Sequence, residues 1–220
     1  YLPDVPEFYT YMTTREYLRF CGEIAGVPAG ELKERIEELL TLVGLANEKR
    51  RIKGFSRGMK QRLGIAQALI HKPKLLICVE PTSALDPIGR KEVLDVLMAA
   101  KKDTTVIFST HILSDVERIC DEIVFIHDGR VALNGTIEKI KSQYVSSDYK
   151  ITLINPIEIG KLLKFNSHLE KIDEYNVLVK CDKEFSINQV MDYVSSEKIE
   201  FLSINRCDKS LENMFLEVVK

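Results

Sequence analysis

Apolar positions recur at helical spacing through the first fifty residues. Tyr17, Cys21, Ile24 and Ala25 mark one stripe, and Leu32, Ile36, Leu39, Leu40 and Val43 mark a second. Thr13 followed by Glu16 is a capping-box signature for the first helix, and Gly26 with Pro28 stops it. The second helix is predicted over 30–43, with Gly44 as its stop. From Gly54 the pattern changes. A helix through Ile70 gives way to Leu75-Leu76-Ile77-Cys78-Val79, an apolar run without alternation. Such a run predicts a strand buried on both faces of a parallel sheet. A helix over 87–101 follows, with Pro87 in its first turn, then a second buried strand over 105–109 and a helix over 113–119. Two short strands, 123–126 and 131–133, flank the hairpin signal Asp128-Gly129, and a short helix over 137–143 follows. Strand–helix–strand alternation of this kind specifies an α/β layer architecture.

Ser146-Ser147-Asp148 is a polar break. Beyond it the pattern gives strand 149–154, helix 156–165, strands 169–173 and 176–181, helix 186–195 and strand 199–206. That β-α-β-β-α-β order is ferredoxin-like. A last amphipathic helix carries Leu211, Met214, Phe215 and Val218 on one face. The expected organisation is therefore a helical segment (1–53), an α/β core (54–145) and a small α+β domain (146–220).

Composition narrows the function classes. With 45% hydrophobic and 29% charged residues, the 220-residue chain is globular rather than disordered. The formal net charge of −2 provides no basic footprint, so no nucleic-acid partner is expected. Cys21, Cys78, Cys120, Cys181 and Cys207 are odd in number and widely spaced, which argues against zinc or a disulfide framework. They read as buried thiols in a reducing compartment. No apolar run reaches the ~18 residues of a membrane span, and no signal peptide is visible.

Three features carry candidate chemistry. Ser56-Arg57-Gly58-Met59 opens a helix, where N–H groups at the positive end of the helix dipole favour an anionic oxygen. Glu80 leaves the first buried strand at its carboxyl end, ahead of Pro81-Thr82-Ser83-Ala84-Leu85-Asp86-Pro87. Ligands of open α/β sheets collect at that edge, and a carboxylate there can polarise water for attack on a phosphate. His111 lies two residues past the next buried strand and can reach the same crevice, where an imidazole can hydrogen-bond a terminal phosphate.

In this order the segments resemble the ATP-binding cassette (ABC) family. FSRGMKQRLGIAQAL resembles its LSGGQ helix, LLICVEPTSALDP its Walker B strand and D-loop, and FSTHILSDVERICDEIVFIHDG its switch-histidine region. YLPDVPEFYTYMTTREYL is similar to the segment after the family's Q-loop strand, and the block ending KSLENMFLEVV to the accessory domain of ABC-2-type and drug-exporter ATPases. The resemblance implies part of a P-loop NTPase core with a helical subdomain and a ferredoxin-like tail. It implies ATP and Mg²⁺ as cofactors of the complete protein, without tight binding to this chain, a second cassette and a transmembrane permease as partners, and a place on the inner face of the cell membrane. It makes Glu80 the general base and His111 the γ-phosphate sensor. Ser56, Arg57, Gly58 and Met59 would touch ATP held by the partner cassette, Asp86 would signal across the dimer, and the loop around Asp4 would face the permease.

The sequence also departs from the family pattern. No G-x-x-x-x-G-K-[S/T] loop occurs in it, and the expectation is that the chain is a fragment whose phosphate loop precedes Tyr1. Val79 stands where an Asp normally supports Mg²⁺, and Val offers a hard cation no oxygen. Asp4 replaces the usual Gln and is the one weak metal candidate, while Arg57 replaces a Gly. Three readings remain open: part of a hydrolysing transporter ATPase, a degenerate cassette serving a competent partner, or a non-transport ABC ATPase.

Overall fold

The computed structural model describes residues 1–143 and 148–207 together with Leu211 and Met214. The chain forms two compact units, Tyr1–Cys120 and Asp121–Lys220.

In the first unit, α1 (Thr14–Ile24) starts where the sequence places it. Thr13 caps the helix, and Glu16 returns a carboxylate to the Thr13 backbone N–H at 2.8 Å, completing the capping box. Helix α2 (Ala29–Leu42) ends before Gly44, which adopts φ +66°. Leu32, Ile36, Leu39 and Leu40 form its buried stripe. Helix α3 (Arg57–Leu69) and helix α4 (Pro87–Ala100) add Leu63, Ile65, Val93, Leu94 and Leu97 to the same core. Strand β1 (Leu75–Val79) and strand β2 (Thr105–Ser109) pair in parallel, Leu75 opposite Thr105 through Val79 opposite Ser109, with α4 as the crossover. On the other side of β1, Leu2 donates to Ile77 O at 2.8 Å and accepts from Val79 N at 2.9 Å. Helix α5 (Leu113–Ile119) follows β2.

Within these 220 residues the expected burial of β1 is seen on one face. Leu76 and Cys78 face the helices and are buried, whereas Leu75 and Ile77 are exposed, as is Ile107 beside Ile77. The apolar run specifies a strand, but here helices cover one face of the pair only. Cys78 is likewise the single buried cysteine; the other four are half-buried.

The second unit begins with an antiparallel hairpin, β3 (Glu122–His127) and β4 (Arg130–Thr136). Its turn residues Asp128 and Gly129 both have positive φ, as a two-residue hairpin loop requires. Helix α6 (Ile137–Gln143) follows. Then come β5 (Tyr149–Leu153), α7 (Ile159–Phe165), β6 (Leu169–Lys171), β7 (Asn176–Val179), α8 (Ile187–Ser196) and β8 (Phe201–Arg206). The sheet order β6-β7-β5-β8 is antiparallel throughout, which is the arrangement of a ferredoxin-like fold. Ile151, Leu153, Val177 and Val179 face α7 and α8 in one core, while Ile172 and Phe201 are exposed. Leu211 and Met214 of the expected last helix are helical and buried; Phe215, Val218, Ser146 and Ser147 lie outside the described residues. Among the described residues no helix is long and apolar enough to cross a membrane.

Candidate functional site

Parallel pairing brings the carboxyl ends of β1 and β2 side by side, and with them Glu80 and His111. Glu80 N donates to Ser109 O at 2.9 Å, so the chain leaves β1 still tied to β2. Glu80 then takes φ +46°, a left-handed conformation that costs a non-glycine residue roughly 1 kcal/mol or more and turns the backbone sharply out of the strand. Ser83 N closes the turn on Glu80 O at 3.1 Å. His111 Nδ1 stands 3.0 Å from Glu80 Oε2, with the His111 side chain 73% exposed and that of Glu80 26% exposed. Oε2 itself is shielded from solvent and has no aligned hydrogen-bond donor. The Glu80 side chain as a whole remains partly open, so its carboxylate can take a proton from water while the exposed imidazole places a donor on an anion at the same edge.

The second group lies at the start of α3. Ser56 is its N-cap, and Oγ accepts from Met59 N at 3.2 Å. Gly58 sits against the first turn of α4, where a Cβ would stand 3.6 Å from Gly89 Cα. Arg57 Nη2 donates to Asp4 Oδ1 at 3.1 Å, both side chains half exposed. The Asp4 carbonyl accepts from buried Gln61 Nε2 at 2.9 Å, so residues 2–6 run along α3. Asp86 caps α4: its Oδ1 accepts from Gly89 N at 2.9 Å, ahead of Pro87.

One cluster is missing from the sequence reading. Asp115, in the first turn of α5, is 2% exposed. Its Oδ2 accepts from Thr82 Oγ1 at 2.7 Å and its Oδ1 from Arg90 Nε at 2.7 Å. Arg90 Nη2 also donates to Ser114 Oγ at 2.6 Å. An Arg in the first turn of the crossover helix and an acid in the first turn after His111 are its marks in the sequence, and neither is distinctive by itself.

A profile of the ABC transporter family matches residues 1–83. The uncharacterized ABC transporter ATP-binding protein YxlF of Bacillus subtilis is 45% identical over 229 residues, covering 100% of this chain and 75% of that protein. The chain belongs to the ABC transporter ATP-binding family. A relative in Synechocystis is 30% identical over 100% of the chain and 62% of its own length. The bacitracin transport ATP-binding protein BcrA of Bacillus licheniformis is 32% identical over 98% of the chain and 71% of its own length. The chain thus spans 62–75% of these three relatives. A solved ATP-binding subunit of an ABC transporter superposes with a TM-score of 0.54 at 35% identity, over 65% of this chain and 60% of that one.

The residues of this ABC subunit fit the family's ligands unequally. The start of α3, with exposed Ser56 and a basic Arg57, suits a terminal phosphate. They do not fit Mg²⁺: Val79 has no donor oxygen, and the Asp4 carboxylate is engaged by Arg57. Among the described residues no group of three His, Cys, Asp or Glu is placed to hold a metal.

Proposed function

We propose that this chain is part of an ATP-hydrolysing cassette that drives an export permease from the inner face of the cell membrane. The supporting observation is the juxtaposition of Glu80 and His111, 3.0 Å apart at the carboxyl ends of adjacent parallel strands. In this reading Glu80 accepts the proton of the attacking water, and His111 donates to the terminal phosphate. Ser56, Arg57 and Gly58 offer N–H groups to the phosphate of ATP held by a second cassette, Arg57 adds a guanidinium shared with Asp4, and Met59 holds the Ser56 hydroxyl in place. Asp86 holds the first turn of α4 against that dimer face, and the loop around Asp4 meets the permease. A transport role is supported by the likeness to BcrA, whose name states bacitracin transport.

The test follows backbone amides by NMR while the 220-residue chain is titrated with pyrophosphate. Shifts at Ser56, Gly58, Met59 and His111 are expected. A titration that leaves all four unmoved refutes the site.

Val79 favours a second reading, in which the cassette lends its α3 terminus to a competent partner and hydrolyses little itself. Grafting the segment of YxlF outside the matched part onto this chain allows the comparison. If the Val79→Asp form of the chimaera gains no magnesium-dependent turnover over the Val79 form, Val79 is not the defect.

A further inference from the structure

We infer that Asp115, clamped by Thr82 and Arg90, is the positioning residue that holds His111 against Glu80. The inference rests on the reading of Glu80 and His111 as the reacting pair.

Glu80 and His111 belong to different loops, and their 3.0 Å contact lacks hydrogen-bond alignment. With the ring 73% exposed, the contact by itself holds His111 weakly. The two loops are instead joined one step further back. Thr82 is two residues beyond Glu80 and 1% exposed; Asp115 is four residues beyond His111 and 2% exposed. The hydroxyl of Thr82 donates to Asp115 Oδ2 at 2.7 Å, so one buried bond ties the turn after β1 to the first turn of α5. Arg90 supplies the charge that lets a carboxylate sit there, with Nη2 2.6 Å from Oδ1 and a second bond to Ser114. Between β2 and α5 lie only residues 110–112, braced by Ile112 N donating to Thr110 Oγ1 at 3.0 Å. A three-residue loop anchored at both ends has little freedom to carry His111 elsewhere. Neither the capping of α4 nor that of α3 uses these groups, so the network's geometric consequence falls on the Glu80–His111 pair.

The experiment uses the full 220-residue chain labelled with ¹⁵N in its histidine rings, of which there are four. Glu80→Gln is expected to shift the His111 ring signals and to leave His71 unmoved. In the Asp115→Asn background that response should be lost, while circular dichroism still reports a folded chain. Thr82→Val keeps the ion pair and removes only the link between the loops; it too should weaken the response, and it decides the matter if Asp115→Asn fails to fold. A His111 response to Glu80→Gln that persists in both backgrounds means that Asp115 serves stability alone, and the proposal falls. A wild-type chain whose His111 ring ignores Glu80→Gln shows instead that the reacting pair itself is misread.

Discussion

Replacing Gly64 with alanine sets two effects of known size against each other. Gly64 is buried in the middle of α3, where alanine is favoured over glycine by about 1 kcal/mol on helix propensity. Against that, a Cβ at this position would lie 2.5 Å from Leu2 Cδ1 and 3.4 Å from Pro6 Cβ. Carbon atoms are at their optimum about 3.5–4.0 Å apart, so the new methyl overlaps Leu2 by more than an ångström. The neighbours cannot yield freely. Leu2 is 1% exposed and its backbone is bonded to β1 on both its N–H and its carbonyl. Pro6 has a rigid ring with φ fixed. Overpacking of this kind costs about 1–3 kcal/mol, so the clash outweighs the propensity gain. A net loss of up to about 2 kcal/mol is expected, lowering the melting temperature by up to several degrees.

Thermal unfolding followed by circular dichroism gives the magnitude, and native-state hydrogen exchange gives the place. The amides of Leu2 and Val79, which join residues 1–6 to β1, should lose protection before the rest of the unit. Gly30→Ala is the control, because nothing lies within 4 Å of its Cβ position; it should be neutral or stabilising by up to about 1 kcal/mol. A Gly64→Ala protein that melts higher than wild type with Leu2 and Val79 protection unchanged would refute the packing of residues 2–6 along α3.

Four further outcomes are expected. The 220-residue chain, which has no G-x-x-x-x-G-K-[S/T] loop and carries Val79, should release no phosphate from Mg-ATP above buffer in a turnover assay. Thr13→Ala should cost about 1 kcal/mol by removing the α1 cap, measured by chemical denaturation. The Glu16 carboxyl is held below its ordinary value, first by its hydrogen bond from the Thr13 backbone. Its contribution is therefore present above the ordinary glutamate range and lost as pH falls through the lowered value, so the difference in melting temperature between wild type and Glu16→Gln should shrink on acidification. Burial pushes the Cys78 thiol up to about 12, so at pH 8 it should react with a maleimide later than Cys21, as read by mass spectrometry of the labelled peptides.

What the sequence reveals of the site depends on how local the determining interactions are. The α1 capping box and the α4 start at Asp86-Pro87 are set by residues within three positions of each other, and spacing displays them directly. Glu80 and His111 are 31 positions apart, yet parallel pairing of two apolar strands fixes where their carboxyl ends meet, so the pair is legible through topology. Asp115 is different. Its partners Thr82 and Arg90 lie 33 and 25 positions away, and nothing in the periodicity of α5 distinguishes this carboxylate from an ordinary acid in a helix's first turn. The Arg57–Asp4 pair, 53 positions apart, is hidden for the same reason. Arg57 read alone is a charge added where the family has glycine; beside Asp4 it is a charge already answered from the loop proposed to face the permease. The β1 run is legible in a different way. Five apolar residues state that the strand avoids water but not which segments cover it, and within these 220 residues Leu75, Ile77 and Ile107 stay exposed while Leu76 and Cys78 are covered. Spacing thus reports which residues are proposed to meet phosphate, while the groups proposed to hold them in place are set by contacts between distant segments. That is why the Thr82–Asp115–Arg90 network, more than the proposed Glu80–His111 pair, is where the structure adds most.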